Sequence, residues 1–199
     1  YGEYGYPGIY NEKTYDAKKE WSGQCISIAR IALKDLNNPI GKVKRWDGSS
    51  FSIPYNSHGV PVRSLQVPIE EGGRGASSAK GGFHWGPSVS WNTYLNCWVM
   101  MMGKVEGKSW LGDKIYISYN KNKDLGIGNN SQDWSKPVLV FQKPGYILWY
   151  PSLQPLNEPS DIKERYTSVL LGKRARFFVK RIKPGDDEYA SEHIIEFEK

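Results

Sequence analysis

Gly86-Pro-Ser-Val-Ser-Trp-Asn-Thr-Tyr-Leu-Asn-Cys-Trp-Val-Met-Met-Met-Gly103 reads as two short strands joined by a tight polar turn at Trp91–Asn96. Apolar and aromatic residues flank the turn on both sides. A third strand is expected at Lys114–Asn120 and a fourth at Lys136–Phe141, after the turn Ser131-Gln-Asp-Trp-Ser135. Tyr150-Pro-Ser-Leu-Gln154 then starts a similar cycle. Four antiparallel strands followed by a restart are the pattern of a propeller blade. The expected fold is therefore all-β, a β-propeller of antiparallel four-stranded blades.

The bulk composition agrees with many strands and turns. The 199 residues include 8 Trp, 13 Tyr, 21 Gly and 12 Pro, a mix that leaves little room for helices. One domain with a sizeable core fits this length. The formal charge is +6, but the densest basic runs, Lys42–Arg45 and Lys173–Lys183, fall on expected strands. Basic residues there read as solvated strand faces, and nucleic acid is not expected as a partner. The most apolar segment, Cys97–Met102, is too short to span a membrane. Cys25 and Cys97 lie in apolar strand patterns without metal-ligand spacing. They read as buried thiols, with a disulfide between neighbouring blades as the alternative.

Outward from the central stretch, Gln24–Ile31 alternates with period two as a half-buried strand. Ala32–Asn38 suits one short helical turn, and Gly41–Ser52 an outer strand with Trp46 and Phe51 flanking an Asp-Gly turn signal. Ile53–Phe83 is a long Gly/Ser/Pro-rich insertion, of a length usually functional or disordered. It lacks the Gly-Lys-Ser/Thr of a phosphate loop. Glu158–Glu164 suits a helical turn capped by Ser160. Tyr166–Leu171 and Ala175–Ile182 read as paired strands, and His193–Glu198 as a closing strand. The division expected is a partial blade at 1–52, the insertion at 53–83, a full blade at 84–141 and a last blade at 142–199. With Tyr1 in mid-blade, the chain reads as about two and a half blades of a longer or trimmed protein. In blade geometry Tyr4–Gly23, Ile53–Phe83, Gly103–Asp113 and Gln142–Trp149 share one face, where a site is expected.

Gly86-Pro-Ser-Val with the Trp-Val-Met-Met strand, Ile115-Tyr-Ile-Ser-Tyr119, Asp133-Trp-Ser-Lys-Pro137 and Trp149-Tyr-Pro-Ser-Leu153 resemble five-bladed β-propeller glycoside hydrolases of the arabinanase and β-xylosidase type. Tyr4-Gly5 followed by Gln24-Cys-Ile-Ser-Ile-Ala-Arg30 resembles that family's sugar-site loop and returning strand. The resemblance implies hydrolysis of a glycosidic bond by acidic residues at the funnel ends of inner strands. At the matching inner-strand start this chain carries His84-Trp85-Gly86-Pro87 instead of an acid.

Glu3 ends a strand on the expected funnel face beside Tyr4 and Tyr6. A carboxyl between rings can be raised into the range of a general acid, so Glu3 is the catalytic candidate. The bland alternative is a solvated loop carboxylate. Tyr4, Tyr6, Trp21, His84, Trp85, Trp110, Tyr150 and Gln154 are the expected substrate-binding residues. Their rings stack on sugar faces, while the imidazole and the amide bond hydroxyls. For each ring the competing role is core packing, and for His84 a buried bond to backbone. Glu20, Glu106 and Asp113 stand beside Trp21 and Trp110 in corresponding loops and otherwise read as solvated acids. Three histidines (His58, His84, His193) are too few for a multi-histidine metal site. Asn120–Gly126 is only faintly like a calcium loop, with Ser131 where a closing glutamate belongs. No metal and no cofactor is called for.

Three readings follow. The first is a glycoside hydrolase acting on an oligosaccharide or polysaccharide. The second is a lectin-like propeller that binds without turnover. The third is an assembly role, in which the missing N-terminal blades or another chain complete the ring.

Overall fold

In the computed structural model, residues 2–3, 25–57, 59–68, 82–106, 111–125, 130, 132–156, 170–183 and 185–199 are described. They are all-β apart from short 3₁₀ segments, among them Leu33–Asp35 and Arg63–Leu65. The strands are β1 (Gly2–Glu3), β2 (Cys25–Ile26), β3 (Ala29–Arg30), β4 (Lys44–Trp46), β5 (Phe51–Pro54), β6 (Gly82–Asn92), β7 (Cys97–Glu106), β8 (Leu111–Asn120), β9 (Val138–Gln142), β10 (Ile147–Pro155), β11 (Leu170–Leu171), β12 (Arg174–Lys183) and β13 (Asp186–Glu196). They form four sheets, ordered β1-β2, β3-β4-β5, β11-β6-β7-β8-β9 and β10-β12-β13. These sheets show the all-β class but do not by themselves show a propeller of four-stranded blades. The expected meander β6 to β9 is present, but β11 adds a fifth strand in parallel on the β6 edge.

The chain forms two compact units. One comprises residues 1–85, 105–110 and 124–134, and the other 86–104, 111–123 and 135–199.

In the first unit the expected strand Gln24–Ile31 is broken. Its first half, β2, pairs with β1, and its second half, β3, pairs with β4. Ser27 between them bridges to Pro61, which ties the insertion after β5 to the sheets. The outer strand expected over Gly41–Ser52 is a hairpin, β4–β5. Trp46 and Phe51 meet edge to face at 5.1 Å across it, and the Arg30 guanidinium lies 4.4 Å over the Phe51 ring. Asp47 builds the turn. Its Oδ1 accepts from the amides of Ser49 and Ser50, both at 2.7 Å, and its Oδ2 from the hydroxyls of Ser50 and Ser52.

These bonds, led by that of Ser52, hold the Asp47 carboxyl well below the ordinary carboxylate range. A depressed folded-state pKa stabilises above the unfolded value, about 3.9, and the benefit fades as pH falls through the folded value. Asp47→Ala is therefore expected to lower Tm at neutral pH. The gap to the parent should narrow in thermal melts taken progressively below about pH 4. A gap independent of pH would refute the account.

The second unit has the larger core. Cys97, Val99 and Met101 of β7, Ile115 and Ile117 of β8, Leu148 and Leu153 of β10, and Ala175, Phe177 and Val179 of β12 form one buried cluster. Two sheets therefore share this core. β7 is buried along nearly its whole length, as a central strand is when both faces are covered. Cys97 is a free buried thiol, so the disulfide alternative does not hold, and burial pushes its pKa up.

The hairpin joining β6 to β7 follows from its own residues. Asn92 Oδ1 accepts the amide of Leu95, three residues on, at 2.8 Å, and Asn96 takes the left-handed conformation with φ 54°. Asn92 and Thr93 also hold β11. The Asn92 amide donates to the Gly172 carbonyl at 3.1 Å, and the Thr93 hydroxyl to that of Leu171 at 2.9 Å. Leu170–Leu171 had been expected to pair with Ala175–Ile182. Instead they pair in parallel with Trp91–Asn92, while β12 is flanked by β10 and β13. The side chains of Asn92 and Thr93, which bond β11, favour that edge.

Two expected loops are shorter than read. β7 continues to Glu106 and β8 begins at Leu111, while β10 begins at Ile147. The helical turn expected at Glu158–Glu164 lies outside the described residues.

Candidate functional site

β10 positions the candidate residues of the second unit. Leu148 and Leu153 both enter the core, although they stand an odd number of residues apart. Strict alternation would send them to opposite faces. The register shifts between Trp149 and Ser152, which inserts the extra residue that keeps both leucines inward. Tyr150 sits in this bulge with φ 53°. Positive φ is a strained state for a bulky side chain. Its ring meets that of Trp149 at 5.9 Å and 66°. Tyr150 is 47% exposed, and Gln154, further along the strand, is also exposed.

The outward face of this sheet follows from register. Ala175, Phe177 and Val179 point into the core, so Arg174, Arg176, Phe178 and Lys180 take the opposite face. Trp149 stands opposite Lys180, Ser152 opposite Phe178, and Gln154 opposite Arg176. On the other side of β12, Ile194 stands opposite Arg176, and Glu196 opposite Arg174.

His84 and Trp85 belong to the first unit. His84 is 4% exposed, and its Nδ1–H donates to the Leu65 carbonyl at 2.6 Å. That bond fastens the start of β6 to the 3₁₀ turn at Arg63–Leu65. Trp85 packs against the small core of Val67, Phe83 and Val105. Gly86 follows with φ 61°, a conformation that favours glycine. Glu3 pairs with Cys25 in β1–β2, and the Ile26 carbonyl next in sequence accepts the Val62 amide at 3.0 Å. The β1–β2 ladder and the His84 turn are thereby linked through residues 62–65. The Glu3 side chain, and Tyr4, Tyr6, Trp21 and Trp110, lie outside the described residues.

Three described carboxylates are held ionised. Asp47 is bonded by its serines. Burial pushes Asp113 up, but the Gln142 amide at 2.9 Å and Lys114 at 3.4 Å outweigh it and leave the carboxyl below its ordinary value. Glu196 is lowered by its bond from Lys173 at 2.8 Å. None of the three has the raised pKa of a general acid at neutral pH. Among the described residues no group of His, Cys, Asp and Glu is arranged to hold a metal ion, and no helix is long and apolar enough to cross a membrane.

The bulge residue was legible as a candidate from its ring. Its strained backbone was not, because Tyr carries no sequence signal for positive φ. Trp149 stands beside Tyr150 at this edge, and an aromatic pair just before a proline was the signal available in the sequence. Compared with protein-family models, curated proteins and solved structures, the chain matches none.

Proposed function

We propose that this chain is a carbohydrate-active protein of the propeller glycoside-hydrolase type, and that the aromatic edge of β10 holds the saccharide. The carrying observation is Tyr150. An exposed aromatic ring is kept in a strained left-handed bulge beside Trp149, on the strand that also presents Gln154. Strain of this kind persists where the surroundings enforce it, and it clusters at binding sites. Rings offer a face for sugar C–H groups, and the Gln154 amide both donates to and accepts from hydroxyls.

The propeller arrangement belongs to the same proposal. The β6–β9 meander has the strand order of one blade, and the motifs that resemble the family fall on β6, β7, β8, β10 and the segment before β9. Glycosidic hydrolysis is the activity the resemblance implies, with Glu3 as this chain's acid. The competing reading is a lectin-like module. It is favoured by His84 at the place of an acid and by described carboxylates that stay ionised.

A glycan array beside an aryl-glycoside screen tests the proposal. Saturable saccharide binding is expected, weakened about three- to tenfold by Tyr150→Ala through loss of the ring. Tyr150→Gly should lose the same binding, yet resist denaturant as well as the parent or better, by up to about 1 kcal/mol, because the backbone strain is relieved. Turnover abolished by Glu3→Gln selects the hydrolase, and binding without turnover selects the lectin. A chain that neither binds nor cleaves any glycan sinks both.

A further inference from the structure

We propose that the free edge of β9 docks an extended segment of another protein, apolar in its middle and acidic at both ends. β9 closes one side of the five-stranded sheet, with β8 as its neighbour and no strand beyond it among the described residues. Val138, Leu139 and Val140 are 56%, 45% and 40% exposed. Sheet edges are normally blunted by charge, proline or a covering segment, so a run of open aliphatic side chains here marks a pairing surface. The exposed side chains do not share a face. Val138 stands opposite Ile117, which enters the core, and Leu139 opposite Tyr116, on the other side of the sheet. A ligand lying on one face would cover one of the two. A strand laid along the edge reaches both, because its own side chains alternate.

The backbone is ready for such a strand. The Lys143 amide donates inward, to the Asp113 carbonyl of β8 at 3.0 Å. Polar groups of successive strand residues point to opposite sides, so the N–H and C=O of Gln142 point to the open edge. One residue earlier, the Phe141 ring meets Phe177 edge to face at 5.5 Å and lies 4.7 Å from His193, which holds β9 in place before anything binds. Pro137 and Pro144 bracket the strand. Neither has an N–H to offer, so the edge takes a short segment and not an open-ended sheet. The charges at the ends choose the partner. Lys136 and Lys143 each precede one of those prolines, seven positions apart, and neither forms an ion pair among the described residues. The Asp113 carboxylate is taken up by Gln142 and Lys114 instead. Two antiparallel copies of β9, aligned about the midpoint of Leu139 and Val140, would set Lys136 of each opposite Lys143 of the other. Like charges directly opposite destabilise a pair. A segment with an acid at each end, at the same spacing, meets both lysines.

The test titrates the whole chain with two end-blocked peptides, Glu-Thr-Val-Thr-Val-Thr-Val-Glu and the same peptide with Lys at both ends. The acidic peptide is expected to bind at least about tenfold more tightly at low salt, by a margin that shrinks as added salt shortens the Debye length. K136E/K143E should reverse the preference. V138S/L139S should weaken the acidic peptide at least about fivefold, with the circular dichroism unchanged. Binding should slow hydrogen exchange at the Gln142 amide, then bonded to the added strand, and leave that of Lys143 as it was. Equal affinity for the two peptides, or no binding of either, overturns the inference. Acidic-peptide binding that leaves Gln142 exchange unchanged overturns it too. A dimer in which Gln142 is protected without peptide, and which V138S/L139S abolishes, overturns it in favour of a second copy. The saccharide reading stands or falls separately.

Discussion

Phe177→Ala is expected to lower the free energy of unfolding by about 3–5 kcal/mol, the cost of removing a large buried aromatic side chain without full collapse of its site. Phe177 is 1% exposed and stands near the middle of β12. Its ring meets Phe141 edge to face at 5.5 Å and His193 at 6.2 Å. Phe141 belongs to β9 at the edge of the five-stranded sheet, and His193 to β13. One ring therefore ties together strands from both sheets that share the core. Urea unfolding should show a lower midpoint with an unchanged slope, because the same surface is exposed on unfolding. Phe178→Ala is the control. The neighbouring ring faces outward and is half-buried, so its loss should cost a fraction as much. If the two variants destabilise equally, the strand does not present the faces described.

Asn92→Ala is expected to cost about 2–4 kcal/mol. Asn92 is fully buried, and its side chain bonds two groups of different segments, the Leu95 amide in the turn and the Gly172 carbonyl after β11. Alanine strands both. A backbone group left without a partner costs about 1–3 kcal/mol when fully buried, and these two bonds are part-buried, which holds the sum to the lower end of that range for each. The adjacent Thr93 hydroxyl reaches the Leu171 carbonyl, so Thr93→Val should couple with Asn92→Ala in a double-mutant cycle. Hydrogen exchange at Thr93, whose amide donates to Leu171 at 2.9 Å, reports the β11 edge directly. Protection that survives Asn92→Ala would mean that β11 does not depend on this clasp.

Much of the fold was legible because its determinants are local. Asn92 and Asn96 carry the turn chemistry between β6 and β7, and the Asp-Gly signal at Asp47–Gly48 marks the β4–β5 turn. Alternation in Arg174–Lys183 gave β12 and its inward face. Of the candidate site, the aromatic character of Tyr150 and the exposed Gln154 could be read from the chain. The register that sets Trp149 beside Lys180 and Gln154 beside Arg176 could not, because the sequence does not mark which strand lies alongside β10.

The sequence by itself determined an all-β chain, the order of its main strands and the turns between neighbours, because hydrogen bonds a few residues apart and period-two patterning fix these. Only the tertiary structure decided that β11 lies parallel on β6, across some eighty residues of chain (Asn92 to Gly172). The same holds for the Tyr150 bulge, which turns both Leu148 and Leu153 inward, and for the His84 bond to the Leu65 carbonyl. A parallel pairing has no turn to announce it, and a bulge answers to the core that two sheets must fill together. The partner of a buried polar group is whichever backbone atom packing brings within reach.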